Sequence, residues 1–419
     1  MSKNYKVRRY GYDRRQQKKQ HVVKLFLMLG IIVGACVAGW FLYEPGSAWV
    51  QNIVAEQQLK KQQAAEEKPQ EQPGDPNGGQ ETPTTPETPG EEAAAFPQKS
   101  YTLTAAQLRD AGAFESLLQS LAAQGYDGVV FDLKDADGQV LYQSAVEAVT
   151  ANKTQTAARY DLAAVLGAID KAGLTPVGRL FTFRDKTASR QIYDAAVKYN
   201  YTGTNWVDND VSAGGKSWLN PNSAEAQEYI LALLKEATDA GLRQIILDGA
   251  QFPEGYSLNL ATYAEKGAAV DKTAVLSAFI RKAKQQGEAA GCTIWTNLCV
   301  GATAGVNTVR YGTDLSTLLT AAGNVIIDVS PEQFGVGITT EQLTLQKPVQ
   351  DPYGTVKAAL AASPALKAEG LTLAAWVQGY TSATVAGQSN LTYTAEQIES
   401  QIKATQEFGI AYYIVDSFA

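Results

Sequence analysis

Four apolar runs of this chain end on a carboxylate: Gly128-Val-Val-Phe-Asp132, Gln244-Ile-Ile-Leu-Asp248, Val325-Ile-Ile-Asp328 and Tyr412-Tyr-Ile-Val-Asp416. Asp135, Asp185 and Glu332 follow close behind strand-like runs. Acidic groups gathered in one place can divide into a protonated acid and an ionised partner, the pair that glycosidic bond cleavage requires. The only histidine, His21, lies in a basic N-terminal stretch. Beyond that stretch a Ser-His-Asp triad, a Cys-His pair and a His-ligated zinc are excluded, so proton transfer falls to carboxylates, Tyr or Lys.

Aromatic and basic side chains accompany these acids. Trp218 and Trp376 fall at or near the same run ends, where an aromatic face can stack on the C–H face of a sugar ring. Lys134 and Arg179 can pair with the acids and hold them ionised. Each feature also has a plainer reading. A strand-end Asp often caps the next helix, Lys134 and Arg179 can form structural salt bridges, and Trp295 and Trp376 can be core.

Eight strand-like runs must position these groups: 100–104, 128–132, 175–183, 244–248, 293–300, 324–329, 371–377 and 411–415. Amphipathic helical stretches separate most of them, at 105–124, 161–172, 223–240, 272–290, 314–322, 352–362 and 394–408. Gly125, Gly173, Gly241, Gly291, Gly323, Gly370 and Gly409 supply stop signals. Strand, helix, Gly, strand, repeated about eight times, predicts an α/β chain folded as a (β/α)₈ barrel whose strand ends share one mouth. A doubly wound open sheet is the alternative. No Gly-rich phosphate loop favours it, and neither a cofactor nor a metal is expected.

The N-terminal quarter is different. Residues 1–24 carry nine Lys/Arg against Asp13 alone, a net +8, which leaves −15 on the remainder of a chain whose total is −7. An acidic main body argues against nucleic acid as a partner. Residues 25–43 are uncharged and long enough to span a bilayer as a helix, with Trp40 and Tyr43 near one end. The basic flank places 1–24 in the cytoplasm and the rest outside. A cleaved signal peptide is the competing reading, and Val33-Gly-Ala-Cys36 resembles a lipoprotein cleavage box. Residues 44–97 read as an extracytoplasmic linker, with a short polar helix at 47–68 and a disordered Pro/Gly/Glu-rich tether at 69–95. The folded domain is expected at 98–419. Cys292 and Cys299 flank one strand, too far apart to bridge without a tight bend.

The motif order is similar to that of a bacterial family, the "putative glycosyl hydrolase" TIM-barrel domain. Gly128-Val-Val-Phe-Asp-Leu-Lys-Asp-Ala-Asp-Gly138 resembles its opening motif and Gly178-Arg-Leu-Phe-Thr-Phe-Arg-Asp185 its third-strand motif. Trp218-Leu-Asn-Pro221, Ile246-Leu-Asp-Gly-Ala-Gln-Phe-Pro253, Val329-Ser-Pro331, Asp351-Pro-Tyr353 and Trp376-Val-Gln378 follow in order. The resemblance covers 98–419 and implies a glycan-acting barrel. It adds Gln251 and Gln378 to Lys134, Asp135, Arg179, Asp185, Trp218 and Trp376 as substrate-contacting residues. The chain departs from the pattern at Gly249, Gln251, Asn297, Glu332 and Gly379, and Asn297 cannot act as an acid or base. The catalytic expectation is Asp248 as nucleophile or stabiliser, Glu332 as proton donor and Asp132 in support. The rival expectation is a catalytically degenerate barrel that binds cell-wall glycan.

Overall fold

The computed structural model describes residues 95–417, apart from 266–267, 307, 383–384, 386–387 and 389–390. The expected membrane span at 25–43 and the expected linker up to residue 94 lie outside the described residues. No helix among the described residues is long and apolar enough to cross a membrane.

All eight expected runs are strands. They are β1 Lys99–Leu103, β2 Gly128–Lys134, β3 Thr175–Phe181, β4 Gln244–Asp248, β5 Thr293–Cys299, β6 Asn324–Asp328, β7 Thr372–Gln378 and β8 Tyr412–Asp416. Each pairs in parallel with its sequence neighbours, and β1 pairs with both β2 and β8. The sheet therefore closes into a parallel eight-stranded α/β barrel of the TIM type, which rules out the open sheet.

Seven helices connect consecutive strands: α1 Ala111–Ala123, α2 Leu162–Lys171, α3 Ala224–Asp239, α4 Lys272–Ala289, α5 Leu315–Ala322, α6 Pro352–Ala361 and α7 Ala395–Phe408. Asp161, Ser223, Asp271, Asp314 and Asp351 begin five of them, each accepting a backbone N–H from the first turn. All seven expected glycine stops take φ between 67° and 107°, the left-handed region where a helix ends at least cost with Gly. Six end a helix, while α6 stops at Ala362 and Gly370 follows a short 3₁₀ turn, Pro364–Lys367. One expected helix is broken: 105–124 divides at Asp110, whose carboxylate accepts the Ala113 N–H at 3.2 Å and starts α1 afresh.

Two apolar layers hold the barrel. The larger lies between strands and helices. The smaller fills the barrel interior with Val130, Val177, Ile246, Trp295, Ile326, Ala374, Trp376 and Ile414. Phe96 joins this inner layer, its ring 4.4 Å from that of Trp295 and 6.2 Å from that of Tyr412. A third, separate cluster of Val197, Trp206 and Trp218 supports the long segment between β3 and α3.

Candidate active site

Strand alternation follows the inner apolar layer with a mostly polar one, which Trp376 of the apolar layer also reaches. Two residues beyond Val130, Val177, Ile246, Trp295, Ile326, Ala374 and Ile414 stand Asp132, Arg179, Asp248, Asn297, Asp328, Trp376 and Asp416. Side chains at i and i+2 of a strand share a face, so this second set also points inward, one step nearer the C-terminal mouth. Arg179, Asp248, Asn297, Asp328, Trp376 and Asp416 line a cavity of about 240 Å³. Gln251, Glu254, Cys299, Arg310 and Tyr311 form more of its wall.

Arg179 organises the floor. Its Nε and Nη2 donate to the two oxygens of Asp132 at 2.5 and 3.0 Å, and its Nη1 lies 3.8 Å from Asp248 Oδ2. The guanidinium carbon sits 4.8 Å from the Phe181 ring centroid and 4.9 Å from that of Trp376, so two aromatic faces help fix it. Burial opposes the charge on Arg179, but Asp132, Asp248 and Asp416 outweigh it and raise its pKa.

Asp248 is held from several sides. Asn297 Nδ2 donates to its Oδ2 at 3.1 Å and the Gly249 N–H to its Oδ1 at 2.7 Å. Gly249 takes φ +60°, which turns the chain sharply enough to return its N–H to the preceding side chain. Thr182 donates twice to the Asp248 carbonyl, at 2.8 and 3.0 Å, fixing the strand end. Burial raises the Asp248 pKa, while Arg179, Asn297 and Gly249 pull it down. Asp328 has weaker support: the Ser330 N–H donates to its Oδ1 at 2.9 Å. Burial, with Asp416 and Asp248 nearby, pushes the Asp328 carboxyl up to about 6. Asp416 Oδ1 accepts from the Thr102 hydroxyl at 3.1 Å. Across the mouth Arg310 pairs with Glu254, and burial with Asp328 raises the Cys299 thiol to about 11.

The other residues singled out in the sequence are placed elsewhere. Glu332 is not in the cavity wall; its carboxylate accepts the Tyr380 hydroxyl at 2.6 Å. Lys134 and Asp185 form a fully buried ion pair at 2.9 Å outside that wall. A β-bulge between Asp132 and Lys134 puts Lys134 in register with Leu180, a residue of the outer core, and its ammonium donates to the Phe181 and Thr182 carbonyls. Asp135 accepts the N–H groups of Asp137 and Gln139 and so shapes the loop after β2. Trp218 is buried with Val197 and Trp206, its indole N–H on Asp208 at 3.0 Å. Gln378 is fully buried and ties two loops, accepting from the Glu332 N–H and donating to Ser382 and the Tyr380 carbonyl. Gln251 and Trp376 do line the cavity. Among the described residues, no group of three His, Cys, Asp or Glu side chains is arranged to hold a metal ion.

Residues 101–417, which build this barrel and its inward carboxylates, match the model of the family described as "Putative glycosyl hydrolase domain". The chain belongs to that family. Among solved structures, the PgaB (BpsB) glycoside hydrolase domain from Bordetella bronchiseptica is 12% identical with a TM-score of 0.52, covering 77% of this chain and 94% of its own. That likeness concerns the fold. A hypothetical protein from Ruminiclostridium thermocellum is 25% identical with a TM-score of 0.39, over 44% of this chain and 92% of its own. TtGalA, an α-galactosidase from Thermus thermophilus, is 14% identical with a TM-score of 0.44, over 77% of this chain and 58% of its own. No curated protein matches.

Proposed function

We propose that this barrel hydrolyses glycosidic bonds in a polysaccharide or cell-envelope glycan, with Asp328 as proton donor and Asp248 as its ionised partner. The supporting observation is the contrast between two carboxylates in one cavity. Asp328 is buried near other acids, which favours its protonated form. Burial raises the Asp248 pKa as well, but there Arg179, Asn297 and a backbone N–H oppose the rise and favour the charge, whereas at Asp328 the opposition comes from Ser330. Asp328 transfers its proton to the leaving oxygen as the glycosidic bond breaks. Asp248 either attacks the anomeric carbon, giving a glycosyl ester that water cleaves with the now ionised Asp328 as base, or takes a proton from the attacking water, depending on the gap between the two carboxyls. Asp132 has both oxygens engaged by Arg179, which suits it to positioning that cation rather than to attack.

In the same proposal the domain works outside the cytoplasm, tethered by residues 25–43, whose uncharged run follows a basic head. Protease added to intact cells should then remove the domain.

A second reading, binding without cleavage, is favoured by Asn297, which places an amide instead of a titratable group in the polar layer. Reducing-end release from glycan substrates separates the two. Hydrolysis requires release by the purified full chain, lost in Asp248→Asn and Asp328→Asn; glycan retained by the wild type with no release would establish the binding reading instead.

A further inference from the structure

The exposed aromatic side chains among the described residues fall on the connections after β3 and β4. Among the described residues, six large apolar or aromatic side chains are exposed, and Tyr193, Tyr201, Val211 and Tyr256 all fall between residues 193 and 256. This stretch includes the long β3–α3 connection and the start of the β4–α4 connection. The two connections join through an antiparallel pair, Lys198–Tyr199 with Ala261–Thr262. Their shared core of Val197, Trp206 and Trp218 lies beneath Tyr199 and Tyr263.

Above that core runs a groove of about 550 Å³, larger than the cavity. Tyr199 and Tyr201 stand in its wall with ring centroids 5.5 Å apart, and Tyr201 is 67% exposed. Asn200, Asn220 and Asn222 lie beside them, with amide groups braced on the carbonyls of Asn259 and Tyr263. Tyr201 is exposed beside the partly buried Tyr199, which packs on the fixed core beneath. A flat ring with a polar tip, flanked by amides, suits a ligand with both C–H faces and hydroxyls. Both connections follow barrel strands at their C-terminal ends, the side of the cavity. The β4–α4 connection links the two places: Gly249, Gln251 and Glu254 line the cavity, and Thr262 to Glu265 line the groove.

We infer that this groove is a second glycan-binding site, in which Tyr199 and Tyr201 hold a stretch of polysaccharide chain remote from the bond at the cavity. The inference rests on the glycan reading above and deepens it: the substrate is a polymer, and its grip is separate from its cleavage.

The test is co-sedimentation of the purified full chain in detergent with insoluble bacterial sacculi, chitin and cellulose. The proteins compared are wild type, Tyr201→Ala, Tyr199→Ala/Tyr201→Ala, Tyr201→Phe and Asp328→Asn. Wild type, Tyr201→Phe and Asp328→Asn should be retained alike on at least one polymer. Tyr201→Ala should lose about tenfold in retention and the double variant more. Tyr201→Ala changes an exposed side chain, so its thermal transition should match that of the wild type. Retention of the tyrosine variants at the wild-type level would overturn the inference and leave the hydrolase reading standing. Retention of none of the proteins on any polymer would also overturn it. The hydrolase reading fails separately, if wild type and Asp328→Asn release equal amounts of reducing sugar.

Discussion

Arg179 grips Asp132 through both oxygens, at 2.5 and 3.0 Å, and itself lines a cavity that Asp248, Asp328 and Asp416 also line and Asp132 does not. The pair is only 12% and 19% exposed at its side chains. Removing one partner of such a pair leaves the other charge poorly solvated, at a cost of about 3–5 kcal/mol. Arg179→Met should therefore lower stability by that order in urea unfolding. Arg179→Lys should recover part of the loss, because a single ammonium keeps the charge but not the two-pronged bond. A Met variant as stable as the wild type would show that Arg179 is not needed to neutralise the acids.

Asp328 makes stability and activity diverge with pH. Its folded pKa, about 6, lies above the ordinary value of 3.8. A raised folded pKa means that the folded state holds the proton more tightly. This contribution is fully present below about pH 4 and is lost as pH rises through about 6. About two pH units at ~1.4 kcal/mol each give roughly 3 kcal/mol. Asp328→Asn cannot ionise, so it should be more stable than the wild type at pH 8 and nearly equal to it at pH 4. The same variant should lose hydrolysis by about 10²–10⁴-fold. Wild-type turnover should decline above pH 6 as the donor proton is lost. Chemical unfolding at the two pH values tests the first part, and a pH–rate profile the second.

Lys134 and Asp185 are fully buried, and their neighbourhood is tight. A Cβ on Gly138 would fall 1.8 Å from Asp185 Oδ1, and Gly138 has φ +84°. Gly138→Ala should thus displace Asp185 and strain the backbone together. Lys134→Met should cost about 3–5 kcal/mol by leaving Asp185 buried without its cation. Adding Asp185→Asn to Lys134→Met should restore much of that loss, since the stranded charge is then removed. Equal losses in the single and double variants would mean that packing, not charge, governs this site.

The barrel was legible because most strands are compact apolar runs and six of the seven helices end on a glycine, so local signals agree with the global closure. Asp132, Asp248, Asp328 and Asp416 were legible for the same reason, as strand ends at the period of two. Lys134 was misplaced because a bulge after Asp132 shifts the alternation, and no residue type announces it. Trp218 was read as a mouth residue, but the β3–α3 connection builds a core of its own. Arg310, Glu254 and Tyr311 were missed. They lie in loop or short 3₁₀ segments whose approach depends on long-range contacts, such as the Phe252 N–H on the Arg310 carbonyl at 2.7 Å.

Glu332 versus Asp328 is the sharpest case, and it is testable. Glu332 follows β6 by only four residues, so the sequence offered both acids. The 3₁₀ turn Pro331–Phe334, tied to Gln378 through the Glu332 N–H at 3.1 Å, directs Glu332 to Tyr380 rather than into the cavity wall. Glu332→Gln keeps an acceptor for the Tyr380 hydroxyl and removes only the charge. Hydrolysis by this variant should stay within about threefold of wild type, against the 10²–10⁴-fold loss expected of a missing general acid. The Tyr380 hydroxyl gives an independent readout. Burial and then Glu332 raise its pKa, so Glu332→Gln should lower it, visible in a spectroscopic titration of tyrosine. A large fall in turnover, with the tyrosine shift present and the fold intact, would return the proton-donor role to Glu332 and remove it from Asp328.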